Sequence, residues 1–398
     1  MNILILTRIA KNDGNSIYNS YTTGICNNYS NSIVIDYFNL YFEKGKEGFE
    51  TTILDKIEES SIDLVFINFV SGDLTFDLTF LKTLSEKCYM LMNFYDTELF
   101  FEPIDRYYAQ CANLVLLPTP SYFTHSYSLL GISAYSSLSL FDSKKFKQLS
   151  LQKDIDISFV GDITKKSRQV FLEALIARGY NVEVYGKGSK NGSLSFEKMI
   201  EIFNRSKINL NFSDTVDERD FNSATNTDYS MVPNIMRYMT QLKGRSIEIA
   251  MCEGFTLSQY AVGIEELFAQ DEIALFYDIE DLITQVDYFL QHDEIRQDMA
   301  QKAYKKATST YDTTLAFRKI FDIINITERI TTPISTDKVF LENYSNYHFL
   351  YLFNFLFKFR INLFLEEVRI VWQNSIRFKT AYNHCKQQFS YQIKKRFS

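Results

Sequence analysis

Between Lys243 and Phe268 the chain reads Lys-Gly-Arg-Ser-Ile-Glu-Ile-Ala-Met-Cys-Glu-Gly-Phe-Thr-Leu-Ser-Gln-Tyr-Ala-Val-Gly-Ile-Glu-Glu-Leu-Phe. Two cations, Lys243 and Arg245, flank a glycine at the start of a short helix expected to be capped by Ser246, and Glu248 follows in its first turn. A helix N-terminus carries unpaired N–H groups and about half a positive charge, so it holds phosphate. Lys243 and Arg245 stand where they reinforce that, and Glu248 is an acceptor placed for ribose hydroxyls. A glycine turn, a short strand and a second helix start follow, and Glu266 in that acidic start joins the candidates. This is the local chemistry of a nucleotide-diphosphate site. The alternative is an ordinary capped helix behind a solvated basic turn.

Other side chains invite weaker readings. Asp96 and Glu98 follow an apolar run, where a carboxylate can serve as a base toward a bound hydroxyl, or simply cap a helix. Asp214, Asp217, Glu218 and Asp220 form an acidic loop that reads as solvated. His125 lies beyond Pro118 and Pro120 and reads as a partly exposed structural histidine. No Ser/His/Asp order or Cys/His pairing stands out. The five cysteines are scattered, without a Cys-x-x-Cys pair, which fits a reducing cytosol and argues against a zinc or disulfide framework.

The elements that must carry these residues alternate. Apolar runs at 2–7, 32–36, 62–69, 88–94 and 114–117 read as strands, with helices from Ile17, over 50–60 and over 76–87. The polar loop around Gly14 is a candidate binding edge, because ligands of open α/β sheets sit beyond strand carboxyl ends. A second unit starts near 150: strands at 155–160, 182–185, 208–212 and 273–277, helices at 168–178 and 195–205, and further helices over 279–326. The order implies two doubly wound, mostly parallel sheets. The expected domains are 1–149, 150–328 and a tail over 329–398.

The second unit resembles the spore-maturation (CgeB-type) glycosyltransferases, a branch of the family-1-like GT-B superfamily. The matching residues are Ser158-Phe159-Val160-Gly161, Val184-Tyr185-Gly186-Lys187-Gly188, Asn209-Leu210-Asn211-Phe212, the Lys243–Phe268 stretch and Phe276-Tyr277-Asp278. The resemblance covers roughly residues 90–325. It implies two Rossmann-like domains facing across a cleft, with the donor nucleotide sugar on the second and the acceptor on the first. Arg245 would then meet the pyrophosphate and Glu248 the ribose, while Gly161, Gly186 and Lys187 line the donor crevice. If the family's retaining chemistry holds, the leaving phosphate takes the acceptor proton. Arg245 then acts catalytically by stabilising the departing diphosphate, and Asp96 is the acceptor-side candidate. No metal or other cofactor is required. Asp154-Ile155-Asp156 matches the metal signature of the other large glycosyltransferase fold, but it opens a buried strand and is read as structural.

The chain departs from the family pattern at three places. Glu253 stands where glycine is usual, Gln259 where an acid is common, and Thr240 where the wider superfamily has the first of two paired glutamates. These departures suit the rival reading, a degenerate GT-B chain that binds a glycan or partner protein without turnover. A third reading, a sugar-nucleotide epimerase of similar fold, lacks an identifiable acid/base set.

Charge is unevenly distributed. The chain is −7 overall, which does not suggest a nucleic-acid partner; residues 341–398 hold nine basic and three acidic residues, so residues 1–340 carry −13. The same segment holds the aromatic run from His348 to Phe357 and the only tryptophan, Trp372. It reads either as a basic aromatic surface for an anionic membrane or as a face packed on the body or on a second subunit of a homo-oligomer. No apolar run is long enough to span a bilayer and the N-terminus does not read as a signal peptide. A cytoplasmic enzyme, peripheral on the inner membrane face, making surface polysaccharide from a glycan or lipid-linked acceptor is the expectation.

Overall fold

The computed structural model describes residues 1–9, 17–214, 240–330 and 333–373. Runs such as Ile-Leu-Ile-Leu-Thr, Leu-Val-Phe-Ile-Asn and Tyr-Met-Leu-Met-Asn are apolar at consecutive positions, as strands covered on both faces must be. They form the first sheet: β1 (Ile3–Thr7), β2 (Ile33–Asp36), β3 (Leu64–Asn68), β4 (Tyr89–Asn93), β5 (Leu114–Leu117) and β6 (Ala134–Ser136), in the order β2-β1-β3-β4-β5-β6. The second sheet holds β7 (Ile155–Val160), β8 (Val182–Tyr185), β9 (Ser206–Asn211), β10 (Thr256–Gln259) and β11 (Ala274–Phe276), in the order β11-β10-β9-β7-β8. Every strand pair is parallel. Both sheets reverse their winding direction beside their first strand, the place where such sheets open a crevice at the carboxyl edge.

Most elements fall where periodicity puts them. The strand β6 escapes the pattern because it is a three-residue edge strand with one aromatic. The helix expected over 50–60 is the second half of Tyr37–Glu59, broken at Gly45, whose φ of 73° a residue with a side chain rarely adopts.

The domain boundary expected at 328 needs correction. The linkers run side by side: Phe141 N–H donates to the Tyr311 carbonyl and Thr313 N–H donates to that of Phe141. Beyond that pairing, the helix Thr313–Ile323 leaves the second domain. Its Ala316, Phe317 and Ile320 pack with Ile3, Ile5, Tyr21 and Phe66 under the first sheet. The hydroxyl of Thr313 donates to the Ser20 carbonyl at 3.0 Å. Apolar spacing shows that this helix has a buried face but not which sheet it covers.

The tail is also largely claimed by the first domain. Helices Lys338–Phe357 and Ile361–Gln373 pack as a pair, and Phe340, Tyr344, Tyr351, Phe355 and Ile370 join the core on the first sheet's other face, with Leu4, Leu6, Val65 and Ile67. A buried polar network ties the helices to the body, although the hydroxyls of Tyr344 and Ser345 lie buried without a hydrogen-bond partner. Tyr41 donates to Glu367 at 2.6 Å, and the two ring nitrogens of His348 face Glu367 at 2.9 Å and the Leu74 carbonyl at 3.1 Å. Most of the aromatic run is therefore structural.

Candidate active site

The floor of the second domain's crevice is made of glycine. At the carboxyl ends of β7 and β8, Gly161 N–H donates to the Tyr185 carbonyl, and Gly186 sits at φ 114°. A Cβ on Gly186 would lie 2.1 Å from the Gly161 oxygen, so only glycine lets these two turns touch. Lys187 reaches across to Asp162 at 3.1 Å, and Asp162 also accepts from the backbone and hydroxyl of Thr164.

Behind this turn begins the helix Lys166–Ala177, whose N-cap position, Lys165, gives no side-chain cap to its first N–H groups. Arg168, one turn in, donates to Asp214 at 2.7 Å and to the Asp162 carbonyl at 2.9 Å, and Lys165 lies 3.4 Å from Asp214. Lys243 faces this group from the other side and feels the charges of Asp96, Lys165, Glu98 and Asp214; burial holds its ammonium below the usual lysine range. Sequence reading passed over Lys165 and Arg168. The signal was present, a basic run straight after the Gly161-Asp162 turn, and was of the same kind as Lys-Gly-Arg.

The Lys243–Phe268 stretch folds as helix Arg245–Met251, strand β10 and helix Ile264–Leu267. Its cap is Gly244, not Ser246. Ser246 is buried in the first turn, where it accepts from Asn211 at 3.2 Å. Gly244 is held tight, since a Cβ there would lie 2.7 Å from Phe141 in the linker. Arg245 lays its guanidinium over the Phe203 ring at 5.3 Å and pairs with Glu248. The two residues expected to share a nucleotide thus hold each other.

Glu266 has a different partner. Its carboxylate accepts from the backbone N–H of Ser121 at 2.8 Å and from its hydroxyl at 2.9 Å, across the domain boundary. Gly263 lies beside it, where a Cβ would lie 2.4 Å from Pro120. In this structure Glu266 is an interdomain clamp rather than a group free for a nucleotide.

The opposite wall comes from the first domain. Asp96 sits in the left-handed region at φ 54°, right after β4, and turns the chain so that Asp96 and Glu98 face the second domain. One neutral amide joins the walls: Gln241 Nε2 donates to Asp96 at 2.8 Å and to Glu98 at 3.0 Å, while its carbonyl accepts from Lys243. Ser71 donates to the second Asp96 oxygen at 2.6 Å. Burial, helped by the charge of Asp96, pushes the Glu98 carboxyl up to about 7. Asp105 lies buried behind it, pushed up to about 8 by burial and by the charges of Asp96 and Glu98. Asp96 stands at the N-cap position of helix Thr97–Phe100 without a side-chain cap bond, and its carboxylate is instead bound by side chains of both domains, Ser71 and Gln241.

The remaining candidates separate from the cleft. Asp154 is held by Arg205 in two hydrogen bonds of 2.8 and 2.7 Å, and Asp156 by Lys207 at 2.6 Å, at the amino end of β7 and so at the opposite edge of the sheet. Among the described residues no cluster of His, Cys, Asp or Glu is arranged to hold a metal. His125 is exposed on a short helix. The loop around Gly14, the acids Asp217, Glu218 and Asp220, and the tail beyond 373 lie outside the described residues.

The three departures from the family pattern are resolved in structural terms. Glu253 ends helix Arg245–Met251 at φ 52°, the left-handed turn for which glycine is suited, so the substitution costs about 1 kcal/mol of backbone strain and no site chemistry. The Gln259 side chain accepts from Ser213 N–H at 3.1 Å, closing the edge between β9 and β10. Thr240 pairs with Asp214 in an antiparallel bridge, which brings Gln241 to the cleft.

Residues 166–321 match a family model described as glycosyl transferase-like. No curated protein matches the chain in sequence. The fold is similar to that of the Anabaena protein Alr3699/HepE, solved in complex with UDP, at 11% identity and a TM-score of 0.57, covering 81% of this chain and 99% of that one. Sucrose-phosphate synthase from Thermosynechococcus elongatus is similar at 9% identity and a TM-score of 0.56, covering 81% and 98%. A glycosyltransferase from Rickettsia africae is similar at 12% identity and a TM-score of 0.53, covering 81% and 97%. The chain has a two-domain fold of the GT-B type, and the match to the glycosyl transferase-like model falls on residues 166–321 of it.

Proposed function

We propose that the protein transfers a sugar from a nucleotide-diphosphate donor to a glycan or lipid-linked acceptor. The observation that carries this reading is the segregation of charge across the cleft. The second domain offers an uncapped helix N-terminus, Lys165, Arg168 and Lys243 around a floor that admits only glycine, which suits a diphosphate. The first domain offers Asp96 and Glu98, acceptors suited to sugar hydroxyls. Alr3699/HepE has been solved with UDP-glucose, which supports a UDP-hexose as the first donor to try. Donor binding would open the Arg245–Glu248 pair, sending the guanidinium to the diphosphate and the carboxylate to the ribose. Activity is proposed to need no metal. A role in bacterial surface-polysaccharide assembly at the cytoplasmic face rests on the family resemblance and the basic tail.

The resemblance supports a retaining route, with the leaving phosphate as the proton acceptor. One observation favours the inverting alternative: Glu98 is a cleft carboxyl whose affinity for a proton suits a general base near neutral pH. Donor hydrolysis and transfer against a panel of nucleotide sugars tests the function. Turnover of at least one donor is expected, and the anomeric configuration of the product separates the two routes. Tight nucleotide binding with no turnover of any donor would favour the glycan- or partner-binding reading.

A further inference from the structure

Among the described residues no helix is long and apolar enough to cross a bilayer, and the tail helix Lys338–Phe357 spends its aromatic stripe on the body of the protein. Tyr344, Tyr347, His348, Tyr351 and Phe355 recur at three- and four-residue spacing, so they share one face of that helix, and this face meets the first domain. Apolar contact alone would dock it. The polar atoms of the stripe are more selective, because those of Tyr347, His348 and Tyr351 meet the first domain at Asp73, Leu74 and Thr75, the end of a single turn.

That turn follows β3. Asp73 N–H donates to the Val70 carbonyl at 3.0 Å and Gly72, in third place, has a φ of 74°, the value such a turn requires there. Ser71 sits inside the turn and donates to Asp96 of the cleft at 2.6 Å. Asp73 ends the turn and is buried. One of its oxygens accepts from the N–H and hydroxyl of Thr75 at 2.8 and 2.6 Å and from the Tyr347 hydroxyl at 2.9 Å; the other accepts from Tyr37. The Tyr351 hydroxyl lies 2.6 Å from that of Thr75 and donates to that of Tyr347 at 3.1 Å. Burial, helped by the charge of Asp73, holds the Tyr347 hydroxyl far above the usual tyrosine range, so it remains a donor. A buried carboxylate depends on such donors to offset its lost hydration. Only Gly72 separates the carboxylate gripped by the tail from the serine that holds Asp96.

We propose that Tyr347 and Tyr351 are positioning residues of the acceptor wall: through Asp73 and Thr75 they fix the turn whose Ser71 orients Asp96. The assignment rests on the proposed function, which makes this wall the acceptor side, whereas the coupling of tail to turn to Asp96 does not depend on it. Asp96 needs a hold of this kind. Its backbone is left-handed at φ 54° and its side chain makes no cap bond to the helix it precedes. Its other side-chain partner, Gln241, belongs to the second domain. Ser71 is the partner from its own domain, so this hold survives any change in the contact across the cleft.

Hydrogen exchange on the full-length chain tests the coupling. Tyr347→Phe keeps the ring and removes the hydroxyl. Exchange should rise about tenfold at the Asp73 amide and at the Leu99 and Phe100 amides, which donate to the Asp96 carbonyl, while helix Lys338–Phe357 stays protected. Tyr41→Phe is the control: it removes a hydrogen bond to the tail through Glu367, away from the turn, and should leave these amides at wild-type exchange. Ser71→Ala should raise exchange at Leu99 and Phe100, and adding Tyr347→Phe to it should add nothing there. In hydrolysis of UDP-glucose, Tyr347→Phe should lower kcat about tenfold with KM unchanged. Wild-type exchange in Tyr347→Phe, a rise that includes the tail helix, an equal rise in Tyr41→Phe, additive rises in the double variant or an unchanged kcat would each overturn the proposal. A wild-type protein that turns over no UDP-glucose would count against the proposed donor instead, and the exchange pattern would still decide the coupling.

Discussion

The two walls of the cleft are built on the same parallel-sheet plan yet carry opposite charge. The second domain's wall is cationic and shallow: Lys165, Arg168 and Lys187 sit at strand ends and a helix start, each paired with a carboxylate of the same domain. The first domain's wall is acidic and deep: Asp96 and Glu98 face outward while Asp105 is buried behind them. The exposed Lys187–Asp162 pair contributes little on its own and can change partners when an anion arrives, whereas Lys165 and Arg168 are largely buried against Asp214 and form the fixed part of the wall. Carboxyls driven toward the neutral form by burial instead hold protons, and they suit hydrogen bonding to hydroxyls. On the proposed function the diphosphate lies against the cationic wall and the acceptor against the acidic one, with the neutral amide of Gln241 where the two walls meet.

The largest expected effect tests the cationic wall. Arg245→Ala should weaken nucleoside-diphosphate binding by about 1.5–3 kcal/mol, the range for hydrogen bonds to a charged group. Glu248→Ala should weaken the nucleoside diphosphate but affect free pyrophosphate less. Calorimetry with both ligands checks the pair, and unchanged affinity in both variants would remove these residues from the site.

The acidic wall should show itself in pH dependence. Asp105 has a folded value of about 8 against an ordinary 3.8, and Glu98 about 7 against 4.5. A raised carboxyl favours folding while protonated, so this contribution is complete below the unfolded values and is lost as pH rises through about 7 and then about 8. Asp105→Asn removes the buried ionisation. Relative to wild type it should gain on the order of 1–3 kcal/mol of stability between about pH 6 and pH 9, since the cost of an uncompensated buried polar group is of that size. Denaturant melts at the two pH values provide the check, and parallel curves would contradict it.

A smaller effect is expected where the walls touch. Gln241→Ala removes the amide that joins Asp96 and Glu98 to Lys243, and Glu266→Gln weakens the clamp on Ser121. Each should cost about 1 kcal/mol of stability and increase hydrogen exchange at the 96–98 and 119–123 segments. Exchange confined to the mutated loops would show that these contacts do not join the domains. The smallest effect expected is none at all: turnover should survive EDTA. Loss of activity restored by manganese or magnesium would reopen the metal question.

The sequence makes the two sheets legible because parallel strands buried on both faces are apolar at consecutive positions, as in Leu-Val-Phe-Ile and Leu-Val-Leu-Leu. It conveys the glycine floor and the Lys-Gly-Arg helix start for the same local reason, since backbone constraints act within a few residues. The destinations of surface side chains are less legible. Glu266 and Glu248 look alike as acids in first turns, yet Glu248 pairs with Arg245 three residues away while Glu266 clamps Ser121, a partner 145 residues distant that local spacing does not announce. Gln241 belongs to no motif, and its role exists only when two domains meet. The tail is the sharpest case: helix Lys338–Phe357 has apolar side chains all round, so its spacing does not tell which of them a bilayer, a partner or the chain's own core will cover.

The central claim, that the second domain's wall holds the donor diphosphate, is tested most directly by titrating a panel of nucleoside diphosphates into wild type, Arg168→Ala and Asp96→Asn. The account predicts that Arg168→Ala loses about tenfold or more in affinity and that Asp96→Asn binds like wild type. Equal affinity of Arg168→Ala and wild type, with the loss falling on Asp96→Asn instead, would contradict it.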